Sequence, residues 1–289
     1  MEQTPVPTYL LDTSAVRLAA GDRLAKKASA AALMASPFCF WETTSHLQDE
    51  GDFARIKANL MKFRHLKLLN EPTALAEHDL ALAQIDVDDS LEVPDVIYAA
   101  LAALRESNSI EEFFKCRIRD GKGVVRRLDG CVARIQEMLA HGESGFSDFI
   151  ANVRQLLTDQ TVVLNTPDDY HASILDLTNG WWIQVKERTD LTDGSYQNLI
   201  RRGYFFYAYV LYRSADYAAR PSARIEMNDF EDAKLLLHLS IDDDITVLTS
   251  DKDLRKCLQQ AVDTLNGIGD DWYKTNVKVC DTESFLVGK

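Results

Sequence analysis

Four acidic residues of this chain stand where a parallel α/β sheet would bring their side chains together. Asp12 ends the apolar stretch "TYLLD", Glu42 directly follows "SPFCFW", and Asp251 follows "ITVLTS". The fourth, Asp232, lies in the first turns of a predicted helix, "NDFEDAKLLLHLS". Carboxylate oxygens are the ligands that Mg²⁺ and Mn²⁺ prefer, and a bound cation removes the repulsion among clustered carboxylates. The pattern therefore predicts a divalent-metal site.

The chemistry that such a site performs most directly is phosphodiester hydrolysis. Metal ions would activate a water molecule and stabilise the leaving oxygen, in the fullest version with two ions about 4 Å apart. No serine or cysteine nucleophile is then needed. The cysteines are scattered and show neither disulfide nor zinc-site spacing. They are Cys39, Cys116, Cys131, Cys257 and Cys280.

Each acid also has a simpler interpretation when it is taken alone. Asp12 before "TS" and Asp251 before "KDL" could each cap the helix that follows. The third acid is ambiguous, because Asp229, Glu231 and Asp232 all lie within one helical turn. Asp229 is therefore the reserve for the third position, and Asp253 is a further reserve beside the fourth. Only the joint pattern of four acids favours a site over four separate caps.

Short apolar segments alternate with helical ones at both ends of the chain, and these elements must position the acids. The predicted strands are "TYLLD", "SPFCFW", "LKLL" at 66–69, "ITVLT" at 245–249 and "VKVCD" at 277–281. The helices between them include "SAVRLAAGDRLAKKASAAALM", which Gly21 could interrupt, and "EPTALAEHDLALAQ". This alternation predicts an α/β fold, with a parallel sheet of about five strands flanked by helices. Ligands of such sheets bind outside the carboxyl ends of the strands, where three of the four acids stand.

The middle of the chain has a different character. The predicted helical segments are residues 97–104, 124–139 and 146–157, followed by one long aromatic helix, "NLIRRGYFFYAYVLYRSADYAA". The segment "GWWIQVKERTD" could be a strand. We therefore predict a discontinuous α/β domain of residues 1–85 and 226–289, with a mainly helical insertion at 86–225 packed on it.

At these motifs the sequence resembles the PIN-domain nucleases, a family of metal-dependent ribonucleases. The matching segments are "YLLDTSAV", "SPFCFWETTSHL", "LKLLNEPTALAE", "DAKLLLHLS", "ITVLTSDKDL" and "VKVCDTESFL", in the family's order. They cover residues 8–84 and about 226–287 and leave the middle unmatched. The resemblance implies a PIN-like Rossmannoid sheet of five parallel strands and a metal-dependent ribonuclease site. Many bacterial members are toxins of toxin–antitoxin pairs.

The resemblance also implies roles for individual residues. The implied metal-site acids are Asp12, Glu42, Asp232 and Asp251. Asp232 is preferred to Asp229, because Leu235 then falls on the family's apolar position. The hydroxyls of Thr13 and Ser250 could hold a metal-bound water, as hydroxyls near this site do in similar proteins.

The expected function is that of a Mg²⁺- or Mn²⁺-dependent nuclease, with an endoribonuclease favoured. A role as a toxin with an antitoxin partner is a further expectation, because many family members are toxins of such pairs. The alternatives are a PIN-like scaffold that binds protein or nucleic acid without catalysis, and a structure-specific DNA nuclease, because the same acids serve either polymer. The retained acids argue against the scaffold, whereas the large insertion keeps it open.

The best basic patch is "KCRIRDGKGVVRR", to which "IRRG" adds two arginines. It is interpreted either as a phosphate-binding wall that the insertion supplies beside the acidic site, or as an ordinary charged face. The candidate nucleic-acid-binding residues are Lys115, Arg117, Arg119, Lys122, Arg126, Arg127, Arg201 and Arg202. The formal net charge of −13 disfavours nonspecific nucleic-acid binding over the whole surface, but it leaves room for a local basic groove.

The composition is that of a soluble globular protein, with 46% hydrophobic and 27% charged residues. The sequence shows no uninterrupted apolar run long enough to cross a bilayer. The segment "MEQTPVPTYLLD" lacks the basic start and the small-residue cleavage site of a signal peptide. The expected compartment is therefore the cytoplasm, and a membrane partner is not expected.

Overall fold

A five-stranded parallel sheet forms the centre of the computed structural model, which describes residues 6–17, 21–27, 32–45, 47–61, 66–69, 93–119, 123–186, 193–226 and 228–288. In chain order the strands are β1 (Thr8–Leu11), β2 (Ala32–Ala35), β3 (Leu66–Leu68), the hairpin strands β4 (Arg117–Arg119) and β5 (Val125–Arg127), β6 (Thr246–Thr249) and β7 (Lys278–Asp281). The main sheet has the order β3-β2-β1-β6-β7, and all its neighbouring strands are parallel. The predicted α/β class with a five-stranded parallel sheet is confirmed.

The middle strand, β1, joins the two ends of the chain. Leu11 lies opposite Ala35 of β2 on one side and Leu248 of β6 on the other. Leu10, Leu11 and Val247 are fully buried, as expected for strands covered on both faces. The residues that follow β1 and β6 therefore meet at the same edge of the sheet.

The helices of the described residues surround this sheet and form the mostly helical middle of the chain. They are α1 (Thr13–Arg17), α2 (Gly21–Lys27), α3 (Pro37–Ser45), α4 (Glu50–Leu60), α5 (Val93–Glu106), α6 (Ile110–Lys115), α7 (Leu128–Thr158), α8 (Pro167–Lys186), α9 (Asp193–Ala219), α10 (Asn228–Leu236), α11 (Lys252–Gly267) and α12 (Thr282–Val287). Within the described parts of the chain, no helix is both long and apolar enough to span a membrane.

The long aromatic helix of the sequence prediction is α9. It packs against α7 and α8, and also against α10 and α11. Tyr204, Phe205 and Tyr209 on this helix are almost completely buried. Because α10 and α11 belong to the predicted α/β domain, one buried apolar cluster runs through that domain and the helical middle. The boundaries at residues 85 and 226 stay a prediction.

The second strand was assigned to the wrong segment. It is formed by "ALMA", which the sequence had placed in a helix, whereas the predicted strand "SPFCFW" leads into α3 at Pro37. Proline suits the first helical position, because its fixed φ and missing N–H cost nothing there. Phe38, Phe40 and Trp41 are all buried, so the first turn of the helix is apolar on every side and shows no amphipathic period. Glu42 consequently stands inside a helix and not directly after a strand.

Two assignments in the middle of the chain also differ. Residues 125–127 form β5, and α7 then runs without interruption through the rest of the two segments predicted at 124–139 and 146–157. The segment "GWWIQVK" is the end of α8 and not a strand. The predicted helix "EPTALAEHDLALAQ" lies outside the described residues.

Candidate functional site

A pocket of about 490 Å³ lies where β1 and β6 end, and all four favoured acids line it. Asp12 follows β1, Glu42 lies in α3, Asp232 lies in α10, and Asp251 stands between β6 and α11. Both hydroxyl residues named as supports, Thr13 and Ser250, also line the pocket. The structure thus brings together six residues that the sequence had selected from four separate segments.

Asp12 is held by a dense set of hydrogen bonds. Its Oδ1 accepts from the backbone N–H of Thr13 at 2.6 Å, and its Oδ2 accepts from the hydroxyls of Ser14 at 2.6 Å and Thr249 at 2.9 Å. The side chain is buried, with 7% of its surface exposed. Burial raises the pKa of Asp12 above its ordinary value, although these hydrogen bonds oppose the shift. Asp12 therefore caps α1 and faces the pocket at the same time.

Two hydroxyls that the sequence did not single out tie the ends of β1 and β6 together. The Ser14 hydroxyl, besides donating to Asp12, accepts from the backbone N–H of Ser250 at 2.8 Å. The Thr249 hydroxyl likewise accepts from the backbone N–H of Asp251 at 2.9 Å. A small hydroxyl residue two positions after a strand-ending aspartate was the available signal for Ser14. These bonds fix the relative positions of the two strand ends.

Asp232 is the most strongly perturbed acid of the pocket. Burial, followed by the negative charges of Asp12 and Asp251, raises its pKa well above the ordinary value. Its Oδ2 accepts from the Tyr209 hydroxyl at 3.1 Å and from the Asn228 side-chain amide at 3.5 Å. The three carboxylates are therefore close enough to repel one another through a poorly solvated space.

The remaining two acids are less buried. Asp251 is the N-cap of α11, because its Oδ1 accepts from the backbone N–H groups of Asp253 and Leu254, each at 2.8 Å. The predicted capping role of Asp251 is thus confirmed, and the same residue lines the pocket. Glu42 lies 3.2 Å from Arg17, measured between Oε1 and Nη2.

Two cations line the pocket that the sequence analysis had not named. Arg17 stands one helical turn after Thr13, so the helical period could have placed it on this face. Lys234 is 7% exposed, and its ammonium lies 3.4 Å from the centre of the Phe38 ring, a cation–π geometry. Nothing in the local sequence "DAKLLL" marks this lysine. Both cations offset part of the negative charge of the pocket.

The donors of the pocket fit a hard divalent cation, although they do not form a closed set of ligands. They are carboxylate and hydroxyl oxygens, which suit Mg²⁺ or Mn²⁺. The Ser250 Oγ and one carboxylate oxygen of Glu231, which also lines the pocket, are buried without a hydrogen-bond partner in the structure. Among the described residues, however, no three His, Cys, Asp or Glu side chains are grouped closely enough to hold an ion. Side-chain rotation would have to complete a coordination sphere.

The two reserve acids do not line the pocket. Both bind Arg213, whose Nε lies 2.7 Å from Asp229 Oδ1 and whose Nη1 lies 2.7 Å from Asp253 Oδ2. Arg213 also donates to the Tyr217 hydroxyl at 2.8 Å, and that hydroxyl donates to Asp229 Oδ2 at 2.5 Å. We call these four residues, Arg213, Tyr217, Asp229 and Asp253, the Arg213 cluster. Its acids already have a cation within the fold.

The described candidate nucleic-acid-binding residues lie outside the pocket lining. Arg117 and Arg119 are exposed on β4 of the hairpin. Lys115, Arg127 and Arg201 form ion pairs with Glu111, Asp129 and Asp242, respectively. Arg126 is half-buried, Arg202 donates to the backbone oxygen of His238 at 3.4 Å, and Lys122 lies outside the described residues. The structure therefore does not bring the predicted basic wall to the acids.

Comparison of this chain with protein-family models, with curated proteins and with solved structures gives no match. The resemblance to the PIN-domain nucleases accordingly depends on the sequence motifs, and membership of that family stays a prediction.

Proposed function

We propose that this protein is a Mg²⁺- or Mn²⁺-dependent PIN-like nuclease that hydrolyses RNA phosphodiester bonds in the pocket at the sheet edge. One observation carries the proposal. Asp12, Glu42, Asp232 and Asp251, chosen from separate segments of the sequence, line one pocket. The sheet alone brings Asp12 and Asp251 together, because β1 and β6 are neighbours, but it does not account for the addition of Glu42 from α3 and Asp232 from α10.

The electrostatics of the pocket support cation binding. Burial raises the pKa values of Asp12 and Asp232, and the negative charges of Asp12 and Asp251 raise that of Asp232 further, because the fold keeps these carboxylates in a poorly solvated space. A divalent cation would stabilise the ionised carboxylates and would release their protons on binding. When bound, it would supply an activated water and a positive charge for the leaving oxygen.

A covalent mechanism has less support from the same pocket. Cys39 lines it, but burial and the negative charge of Asp12 raise the pKa of the thiol well above its ordinary value. The thiolate is the reactive form of cysteine, so Cys39 is a poor nucleophile. The Ser14 hydroxyl already forms hydrogen bonds with Asp12 and with the backbone of Ser250.

Arg17 is placed to contact a phosphate at the pocket rim, because 43% of its side chain is exposed beside Glu42.

The choice of RNA as substrate follows from the resemblance to the PIN-domain family, as does a toxin role with an antitoxin partner. The net charge of −13 means that nucleic acid must approach through a local surface. Arg117 and Arg119 on the exposed hairpin are the described candidates for such contacts. A structure-specific DNA nuclease would use the same four acids.

A non-catalytic scaffold is the second candidate, and one observation favours it. Glu42 is paired with Arg17, so one of the four acids already has a cation within the fold. A scaffold of this kind would bind protein or nucleic acid without needing Mn²⁺. Cleavage assays on RNA and DNA oligonucleotides, with and without Mn²⁺, separate the nuclease from the scaffold and identify the polymer.

The decisive variant is Asp12→Asn. We expect Mn²⁺-dependent cleavage of a labelled RNA to fall by more than about 100-fold, the upper end of the effects seen when only the surroundings of a metal ligand are changed. Circular dichroism should show that the variant stays folded. Equal cleavage by Asp12→Asn and the wild type, with the same cation requirement, would contradict the proposal.

Asp281→Asn is the matched control. Asp281 is the last residue of β7 and caps α12, as Asp12 directly follows β1 and caps α1. Its carboxylate is bound to Arg255 at 2.6 Å, and it does not line the pocket. We therefore expect this variant to keep the wild-type cleavage rate. Loss of cleavage in both variants would show that capping, and not the pocket, is responsible.

A further inference from the structure

One tyrosine hydroxyl lies between the acidic pocket and the Arg213 cluster. Tyr209 of α9 donates to Asp229 Oδ1 at 2.9 Å and to Asp232 Oδ2 at 3.1 Å. The residue is buried, with 1% of its surface exposed. A phenol has a single O–H proton, so the two carboxylates share one donor.

The carboxylate on the cluster side does not depend on that proton. Asp229 Oδ1 also accepts from Arg213 Nε at 2.7 Å, and its Oδ2 accepts from the Tyr217 hydroxyl at 2.5 Å and the backbone N–H of Glu226 at 3.2 Å. Both oxygens of Asp229 are therefore satisfied without Tyr209. The hydroxyl of Tyr209 is available to Asp232.

The carboxylate on the pocket side depends on Tyr209 much more. Its only other donor among the described residues is the Asn228 amide, at the limiting distance of 3.5 Å and on an exposed side chain. Both donors bind Oδ2, and within the described residues no hydrogen bond reaches Oδ1 of Asp232. One oxygen of Asp232 is thus anchored in the fold, and the other is left for the pocket.

We propose that Tyr209 is a positioning residue for the candidate metal site: its hydroxyl anchors Asp232 Oδ2 and thereby directs Oδ1 to the cation. The inference rests on the proposed function and extends it to the helical middle of the chain. Tyr209 lies in α9, within the predicted insertion, and not in the segments that resemble the family. The long helix is therefore part of the site and not a separate attachment.

The side chains around Tyr209 explain why the anchor is rigid. Arg213, one turn further along α9, is 1% exposed and fixed by Asp229 and Asp253. Because Asp229 is held by that arginine, it gives the Tyr209 hydroxyl a fixed second acceptor. Through Tyr209, the position of Asp232 is thereby set relative to the buried Arg213–Asp229 ion pair. Outer partners of this kind orient metal ligands and set metal affinity.

Tyr209→Phe tests this role, because it removes the hydroxyl and keeps the ring in the core. We expect the Kd of the protein for Mn²⁺, measured by electron paramagnetic resonance of free Mn²⁺, to rise about 10-fold. In cleavage assays at saturating RNA, the activity should be largely recovered by raising the Mn²⁺ concentration. The binding measurement uses the free protein and does not depend on turnover.

Tyr217→Phe is the matched control. It removes another buried hydroxyl from α9, one that donates to Asp229 and has no contact with Asp232. We expect a loss of thermal stability comparable to that of Tyr209→Phe, with a Kd for Mn²⁺ within about twofold of the wild type, because the cluster and not the ligand is affected. Equal changes of Kd in the two variants would overturn the positioning role.

The Asp232→Asn background tests whether Tyr209 acts on the metal site through Asp232. There the addition of Tyr209→Phe should not weaken Mn²⁺ binding further, whereas in the Asp253→Asn background, which keeps the pocket acids, it should still do so. If Tyr209→Phe does not fold, Asn228→Ala removes the weaker donor to the same oxygen from an exposed position, and the Kd should rise about twofold. An unchanged Kd in Asn228→Ala would then count against the anchor.

Failure of the wild type to bind Mn²⁺ overturns the proposed function and this inference together. Binding by the wild type with no effect of Tyr209→Phe overturns only the inference.

Discussion

The short helix α10 carries two aspartates into opposite surroundings. Asp229 lies in the Arg213 cluster, where a buried guanidinium and two tyrosine hydroxyls contact its oxygens. Asp232, three residues later, faces the pocket, where burial and the charges of Asp12 and Asp251 raise its pKa. The two side chains have the same chemistry and nearly the same burial, at 2% and 6% exposed. They differ in whether a cationic side chain of the fold binds the carboxylate directly.

The start of α11 repeats the contrast. Asp251 caps the helix and lines the pocket, whereas Asp253, two residues further, pairs with Arg213. In each helix the fold neutralises one acid internally and leaves the other beside like charges. The difference indicates two uses of the same residue type. Acids in the Arg213 cluster connect α9, α10 and α11 through Arg213, and acids in the pocket are proposed to bind a cation.

The largest effect is expected on breaking the cluster. Arg213→Met leaves Asp229 buried without its cation, and such a loss destabilises a protein by about 3–5 kcal/mol. Chemical denaturation with Tyr and Trp fluorescence measures the free energy of unfolding. Arg255→Met is the control, because the Arg255–Asp281 pair is about equally short but 30% and 29% exposed. It should cost at most about 1 kcal/mol, and equal losses would remove the distinction between buried and exposed pairs.

The next effect concerns the ligand that the pocket acids are proposed to hold. At a Mn²⁺ concentration 100 times Kd, a bound ion adds about 2.7 kcal/mol to the free energy of unfolding. The Mn²⁺-induced rise in Tm should be present in Asp253→Asn and lost in Asp251→Asn. Differential scanning fluorimetry compares these two neighbours directly. A rise of the same size in both variants would show that Mn²⁺ does not distinguish the pocket from the cluster.

The smallest effect is expected in how the stability of the protein depends on pH. The pKa of Asp232 is raised in the folded state, so the folded protein binds this proton more tightly than the unfolded chain does. Its contribution to stability is full below the unfolded pKa and is lost as pH rises through the folded pKa. Without Mn²⁺, Asp232→Asn should therefore gain stability relative to the wild type as the pH rises above about 4, the ordinary pKa of an aspartate.

Asp281→Asn should show the opposite slope. Accepting from the Ser284 backbone N–H and pairing with Arg255 lower the pKa of Asp281, so its contribution is present above the unfolded pKa and is lost on acidification. Thermal melts of the wild type and both variants at a series of pH values measure the two slopes. Parallel curves for the two variants would contradict the assignment of Asp232 as a destabilised charge.

The sequence was sufficient for four of the five strands of the sheet and for the acids that follow β1 and β6. Asp12 and Asp251 follow short apolar runs and precede capping patterns, and both signals are local. Glu42 was placed in the pocket for a partly wrong reason, since the strand before it is seven residues upstream, at Ala32–Ala35. Alanine favours helices and the aromatic run imitates a strand, so local propensity reversed the two elements there.

Without the family resemblance, which favoured Asp232, the sequence was not sufficient to separate Asp232 from Asp229, and it did not reveal the residues that hold them. Three residues apart on a helix, the two aspartates project to neighbouring positions, and no periodicity distinguishes them. What separates them is Arg213, which reaches Asp229 from α9 through tertiary packing. The same holds for Tyr209 and Lys234, whose surroundings depend on three-dimensional contacts between distant segments.

The hydrogen bond from Thr249 to Asp12 joins residues 237 positions apart, and this separation has a consequence for synthesis. A ribosome adds about 5–20 residues per second, so Asp12 waits on the order of 10–50 s before β6 and its hydroxyl emerge. During that interval β1 can pair with β2, but its other edge and the wall of the pocket are missing. A nascent chain therefore cannot carry a finished pocket, and any cleavage of RNA there has to begin after the segment 246–251 has left the ribosome.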